Sequence, residues 1–200
     1  MNEAVNQGGV NVAIDDRGLA TVEFFHPLSN SLPGKVLAKL ANTITELGEN
    51  DAVKLILVKS AGERAFCAGA SFDELIAIED LDTGKVFFSG FANVINAMRK
   101  CPKLIIGRVQ GKAVGGGVGL ASSVDYCYAT KHAAVKLSEL AAGIGPFVAV
   151  SYTHLRAHET GRNLVCRLLW FPKKLLFGHR SKHIQQSPNR LGFLPLLWFQ

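Results

Sequence analysis

The chain has 200 residues, of which 48% are hydrophobic and 19% charged, and this composition is typical of one sizeable soluble domain. No apolar run approaches the roughly 18 residues of a membrane span, and residues 1–9 lack the basic start of a secretory signal, so we expect neither. The net charge of +6 would favour a nucleic-acid ligand, but residues 1–150 sum to −1 and residues 151–200 to +7, so the larger part of the chain has no basic surplus.

The first predicted elements are a hairpin and a helix. Val10–Ile14 and Leu19–Phe25 are β-rich runs around a polar turn, which predicts antiparallel pairing. Ser31 has the residue type of a helix cap, with Pro33 in the first turn and Gly48 at the stop. The predicted buried face of this helix carries five apolar residues: Val36, Leu37, Leu40, Ile44 and Leu47.

Strands and helices alternate through the middle of the chain. Val53–Val58 and Leu104–Val109 are near-continuous apolar runs, as in strands that are buried on both faces. Tyr126–Ala129 and Ala134–Leu137 are shorter candidate strands. A helix over 84–99 has six apolar residues at core spacing: Val86, Phe87, Phe91, Val94, Ile95 and Met98. The alternation predicts the α/β class.

Two loops rich in small residues lie where a strand leads into a helix. They are Ala65–Leu75 and Gly111–Ala121. Glycines let a backbone approach a ligand closely, and the free N–H groups at a helix start attract negative charge. The second loop has neither the order of a phosphate loop nor the dinucleotide spacing G-x-G-x-x-G. For either loop taken alone, tight packing of helix against strand is an alternative explanation of the glycines.

Together, and followed by Leu137–Pro146, the loops resemble the crotonase (enoyl-CoA hydratase/isomerase) superfamily. The resemblance covers about Val10–Val148, with the motifs in order. It implies an α/β spiral of ββα units, an acyl-CoA substrate with no separate cofactor, and a homotrimer or hexamer for a complete chain. It also implies an oxyanion hole made by the backbone N–H groups of Ala70 and Gly116.

The expected substrate-binding residues surround these two donors. Backbone donors suit enolate chemistry because they stabilise a negative oxygen without a titratable side chain. The resemblance assigns substrate contacts to Ala68, Gly69, Ala70, Ser71, Phe72, Asp73, Gly115, Gly116, Gly119 and Pro146. Glu74 could also touch the substrate; for Asp73 and Glu74, an alternative is that acidic residues in the first helical turn complement the helix dipole.

Glu139 is the candidate general acid/base. It is the only carboxylate between Asp125 and Glu159, and it follows a predicted strand in a run of small apolar residues. Family hydratases carry a second glutamate where this chain has Gly119, and a glycine where it has Phe147. We expect an enoyl-CoA hydratase-like enzyme. A double-bond isomerase, which needs one base, and a non-catalytic acyl-CoA-binding fragment are the alternatives.

The cysteines indicate a reducing compartment rather than a metal or a disulfide framework. All four are widely spaced and form no C-x-x-C pair, which favours a cytoplasmic location. Cys67 lies in the first loop among apolar neighbours and is interpreted as an inert small hydrophobe. No group of His, Cys and Asp has metal-ligand spacing, so we predict no metal site.

Composition changes abruptly near Val150. Residues 151–200 contain both tryptophans and a single acidic residue, and their apolar runs have no consistent period. Ser151–Thr160 resembles a translated sequencing-adapter peptide. We therefore expect residues 1–150 to form an incomplete crotonase-like core whose C-terminal helical part is missing or replaced. Residues 151–200 would then be a non-homologous basic tail; a nucleic-acid-binding segment and a partner-docking helical appendage are the alternatives.

Overall fold

A computed structural model describes residues 8–139 of the chain. Pro146, Phe147 and the predicted tail lie outside the described residues. The ten described strands are β1 (Gly9–Ile14), β2 (Leu19–Phe25), β3 (Ser31–Leu32), β4 (Leu55–Ser60), β5 (Ala65–Cys67), β6 (Gly69–Ala70), β7 (Leu104–Val109), β8 (Lys112–Val114), β9 (Tyr126–Ala129) and β10 (Ala134–Lys136). The described helices are α1 (Gly34–Glu49), α2 (Phe72–Ile76), α3 (Leu81–Lys100) and α4 (Gly116–Ser123).

The strands form three sheets. The largest has the order β1-β2-β4-β7-β9, in which the β1–β2 hairpin is antiparallel and the other pairs are parallel. A second sheet, β10-β8-β5, and a third, β3-β6, are entirely parallel. The predicted hairpin and the predicted α/β class are therefore confirmed.

The core lies between the large sheet and helices α1 and α3. Side chains from β2, β4 and β7 join those of the two helices in one cluster of buried residues. Along β4 and β7, however, burial alternates: Ile105 and Val109 are buried, whereas Leu104 is 50% exposed and Arg108 is exposed. The prediction of strands buried on both faces is wrong here, because the core covers only one face of this sheet. The fourth strand also begins at Leu55, later than the predicted Val53.

Helix α1 buries the predicted face but starts and ends differently. Ser31 is not its cap: it pairs with Gly69 in the β3–β6 ladder, and Pro33 takes the cap position without a side-chain hydrogen bond. Gly48 lies inside the helix, one residue before its end, and a Cβ on it would be 3.1 Å from the Cys101 sulfur. Its small size thus serves packing rather than termination.

Helix α3 begins earlier than predicted, at Leu81. Asp80 caps it through a reciprocal pair of hydrogen bonds with Thr83. Four of the six predicted core residues are buried: Phe91, Val94, Ile95 and Met98. Val86 is 76% exposed and Phe87 half-buried, because a side chain needs a facing element as well as the right helical spacing. No described helix is both long and apolar enough to cross a membrane.

Candidate active site

Three parallel strands bring the predicted site residues to one edge. β8 pairs with β5 on one side and with β10 on the other, both in parallel. Parallel strands present their carboxyl ends at the same edge, where ligands of α/β proteins commonly bind. The segments that follow these strands, 68–71, 115–117 and 137–139, therefore meet although they are distant in the sequence.

The first segment contains the predicted donor Ala70. Gly69 has φ +102°, and a Cβ on it would lie 3.3 Å from the carbonyl oxygen of Val114, at the end of β8. A glycine is required by this backbone conformation and fits the close approach of the two strands. On the other side of the loop, the Ser31 hydroxyl donates a 2.9 Å hydrogen bond to the Ala70 carbonyl. The loop is held between β8 and β3.

The second segment contains the predicted donor Gly116. The N–H of Gly115 donates to the carbonyl of Lys136 at 2.9 Å, which ties the start of α4 to β10. Gly115 has φ +52° and ψ −124°, a conformation open to glycine. Gly116 is the first residue of α4, where N–H groups have no partner within the helix.

Close packing also dictates the glycines of α4. A Cβ on Gly116 would lie 2.7 Å from the ring of Phe91, and one on Gly117 would lie 2.7 Å from the Cβ of Cys67. Neither position accepts a side chain without displacement of its neighbour. In this loop, therefore, tight packing of the glycines against their neighbours is compatible with close approach of the backbone to a ligand.

Glu139 lies beside the start of α4. Its Oε1 would be 3.5 Å from a Cβ on Gly115, and the Ser138 hydroxyl oxygen 3.4 Å from the same point. Its Oε2 is buried and has no hydrogen-bond partner among the described residues. A buried carboxylate oxygen without a partner is costly, and such arrangements are concentrated at functional sites.

Cys67 is electrostatically inert. Its side chain is fully buried, and this burial raises the pKa of the thiol to about 12. The N–H of Gly69 donates to its sulfur at 3.4 Å, an interaction too weak to offset burial. The prediction that Cys67 packs as a small hydrophobe is confirmed.

The remaining predicted substrate contacts occupy different positions. Ser71 caps α2 by accepting a hydrogen bond from the N–H of Glu74. Phe72 and Asp73 stand in the first turn of α2 with exposed side chains. Gly119 is buried in α4, and Pro146 lies outside the described residues.

Three side chains support this edge, and two of them, Phe91 and Ser31, are absent from the sequence predictions of the site, which consider Glu74 beside Asp73. Phe91 packs on Gly116, Ser31 holds Ala70, and Glu74 accepts a hydrogen bond from the N–H of Gly34 at 2.8 Å. Phe91 was recognisable only as a core residue, and Ser31 suggested a helix cap.

Among residues 8–139, no group of three or more His, Cys, Asp or Glu residues is arranged to hold a metal ion.

A family model described as enoyl-CoA hydratase/isomerase matches residues 15–174. The chain belongs to the enoyl-CoA hydratase/isomerase family. The resemblance to the crotonase superfamily and the crotonase-like fold class are thereby confirmed. The matched range runs past Val150 into residues that the structure does not describe, so the domain boundary near Val150 stays a prediction.

Individual relatives are 25% to 30% identical to this chain over the aligned residues. It is 29% identical over 130 residues to a methyl-dioxo-hexahydro-indene-carboxyl-CoA hydrolase of Mycobacterium tuberculosis, covering 63% of this chain and 51% of the relative. It is 29% identical over 132 residues to the mitochondrial enoyl-CoA hydratase domain-containing protein 2 of Homo sapiens, covering 66% and 45%. The chain spans about half the length of the curated relatives it matches.

A solved structure has the same fold. The crystal structure of an enoyl-CoA hydratase from Mycobacterium smegmatis superposes with a TM-score of 0.67 at 27% sequence identity. The superposition covers 80% of this chain and 61% of the other. Family membership and the shared fold are thus shown for this chain.

Proposed function

We propose that this chain carries the enolate-stabilising site of an enoyl-CoA hydratase-like enzyme. The N–H groups of Ala70 and Gly116 would bind the thioester oxygen, and Glu139 would move the proton. The observation that carries the proposal is the buried Oε2 of Glu139, which has no hydrogen-bond partner within residues 8–139 and lies at the edge where segments 68–71 and 115–117 meet. A carboxylate placed there can receive a proton from a substrate without first losing another partner.

The chemistry follows from this arrangement. When the thioester carbonyl lies in the oxyanion hole, negative charge that develops on its oxygen is stabilised by two fixed dipoles. In hydration, the oxygen of water bonds to the β carbon and a proton is delivered to the α carbon of a 2-enoyl-CoA. The carboxylate takes the proton from water and returns one to the enolate, so charge and atoms balance.

A specific observation favours isomerisation as the second candidate. Gly119, in α4, offers no carboxylate where family hydratases carry their second glutamate. One base can remove a proton from the α carbon of a 3-enoyl-CoA and return it to the γ carbon. This moves the double bond without any activated water. A non-catalytic acyl-CoA-binding role is the candidate from another class, since the chain spans about half of its relatives' length.

The test supplies a 2-enoyl-CoA and a 3-enoyl-CoA separately to the purified chain. We expect a 3-hydroxyacyl-CoA from the first substrate under the hydratase proposal, and a shifted double bond from the second under isomerisation. Glu139→Gln should abolish both while acyl-CoA affinity stays near the parent's, because the amide keeps the shape but accepts no proton. The matched control is Glu46→Gln, an exposed carboxylate on α1.

The possible results separate the candidates. Activity of Glu139→Gln within tenfold of the parent would show that another group is the base. Affinity for acyl-CoA without turnover and without exchange of the α protons would favour the binding role. Fast hydration with no double-bond movement would exclude the isomerase.

Assembly is proposed from the family resemblance, and location from the wide spacing of the four cysteines. A homotrimer or hexamer is the expected state of a complete chain, and the cytoplasm its expected location. Gel filtration with light scattering tests the first, since a defined trimer and an aggregate elute differently. Fractionation of cells that express the chain tests the second.

A further inference from the structure

Two hydrogen bonds join the same two segments, and each segment supplies the side chain of one of them. The Ser31 hydroxyl, on β3, donates to the carbonyl of Ala70 at 2.9 Å. The carboxylate of Glu74, on α2, accepts from the N–H of Gly34, the first residue of α1, at 2.8 Å. Each segment therefore reaches the backbone of the other, and Ala70 lies within the joined region. We call this pair of bonds the loop clamp.

Among the described residues, helix α2 has few other contacts, one of them the 3.2 Å hydrogen bond that the N–H of its cap residue Ser71 donates to the carbonyl of Leu32. None of its five residues is buried, and Phe72 and Ile76 are 66% and 69% exposed. Hydrophobic burial therefore contributes little to its position. The backbone pairing that precedes it is the two-residue ladder of β3 with β6, a length that is weak by itself. Polar contacts must supply much of what fixes the segment that follows Ala70.

The Glu74 bond also completes helix α1. Pro33 occupies the cap position of α1 and provides no side-chain hydrogen bond, and the first turn contains no acidic residue. A carboxylate at a helix N-terminus satisfies an otherwise free N–H and complements the helix dipole. Glu74 supplies this cap from another element. Since α1 packs through seven buried residues, it gives α2 a rigid anchor.

We propose that Ser31 and Glu74 are positioning residues that fix the Ala70 N–H as an oxyanion donor by clamping segment 70–74 to segment 31–34. The inference rests on the proposed function, because it assumes that this N–H faces the thioester oxygen. The two bonds bracket the donor: one acts on the carbonyl of Ala70 itself, and the other on the helix that begins two residues later. Neither side chain touches the reacting atoms in this arrangement.

The first measurement is amide hydrogen exchange, which needs no turnover. Ser31→Ala and Glu74→Ala should each speed exchange in residues 68–76 by roughly fivefold, the effect of one lost hydrogen bond. Exchange in β1 and β2 should not change. Ser31→Thr keeps the hydroxyl and should restore the parent's rates. Thr45→Ala is the matched control, since it removes a 3.0 Å hydroxyl-to-carbonyl bond inside α1, far along the chain from the loop.

The second measurement is the split between kcat and KM for whichever enoyl-CoA the parent converts. A misplaced donor weakens the transition state more than the ground state. The clamp variants should therefore lose about tenfold or more in kcat while KM changes by less than about threefold. Thr45→Ala should keep both values. Ser31→Thr should recover kcat, which a general loss of packing would not predict.

The outcomes distinguish this proposal from the function on which it rests. If the alanine variants exchange faster than the parent in residues 68–76 and the parent converts no enoyl-CoA, the clamp is upheld and the proposed function is overturned. Parent-like exchange and kcat in both alanine variants would overturn the clamp. If Ser31→Ala fails to fold, the clamp is tested by comparing Glu74→Ala with Glu74→Gln. The glutamine keeps an acceptor oxygen, and the alanine does not. Equal kcat and equal exchange in those two variants and the parent would also overturn the clamp.

Discussion

Replacing Gly116 by alanine tests how the start of α4 is positioned. The new Cβ would lie 2.7 Å from two ring carbons of Phe91 and 2.9 Å from a third. Ordinary contacts begin near 3.4 Å, so the ring or the helix end must move by about 0.7 Å. Phe91 is only 4% exposed and belongs to the main core cluster, which limits how far the ring can move.

Both stability and catalysis should respond. Overpacking of a dense core costs about 1–3 kcal/mol, so the free energy of unfolding should fall by that amount. Movement of the helix end also displaces the proposed N–H donor, and loss of one oxyanion donor lowers kcat by roughly 10²- to 10³-fold. We therefore expect the kcat of Gly116→Ala to be lower than the parent's even under conditions where the variant is fully folded.

The assay combines urea unfolding with kcat on the enoyl-CoA that the parent converts. Gly9→Ala is the matched control, because a Cβ there would have no atom within 4 Å and its φ is not positive. Adding Phe91→Leu to Gly116→Ala should recover part of both losses, since the smaller side chain gives the new methyl room. A single variant as stable and as active as the parent, or a double variant no better than the single, would refute the reasoning.

Two further predictions concern the same edge. Gly119→Glu should raise hydration relative to isomerisation. The φ of Gly119 lies outside the left-handed range, so the backbone does not oppose a side chain there. An unchanged ratio of the two products would contradict this prediction. The raised pKa of the Cys67 thiol, about 12 against an ordinary 9.0, stabilises the folded state fully below pH 9, and that stability should be lost as pH rises towards 12. Urea unfolding between pH 8 and pH 11 measures the loss, which Cys67→Ala should reduce and Cys101→Ala should not.

Local signals explain which elements could be predicted from sequence. The hairpin follows from alternating apolar residues around a polar turn, and the buried face of α1 from its helical spacing. Ser31 shows where such signals end. Its residue type suits a helix cap, but pairing of β3 with β6 places it in a strand, and that pairing depends on residues about forty positions away.

The site was predictable to the extent that its residues lie in motifs. The two small-residue loops are recognisable by their composition, and the parallel pairing of β5 with β8 brings them to one edge of the sheet. Phe91 and Ser31 come from other elements and are ordinary residue types for a core and a strand, while Glu74, within the first loop, is an ordinary residue type for a helix start. Their contacts depend on tertiary packing, so no spacing in the sequence could have indicated them. The roles of Ala70, Gly116 and Glu139 stay predictions until the assays above are done.

The glycines of the second loop serve two separable purposes. At Gly116 and Gly117 an added Cβ would come within 2.7 Å of Phe91 or Cys67, so crowding alone excludes a side chain there. At Gly115 the nearest atoms would be 3.4 and 3.5 Å away, which is ordinary contact, and it is φ +52° that requires glycine. Glycine adopts such a positive φ without the steric cost that a Cβ would bring. The glycine at position 115 therefore supports a backbone donor in this loop more strongly than Gly116 and Gly117 do, because packing does not explain it.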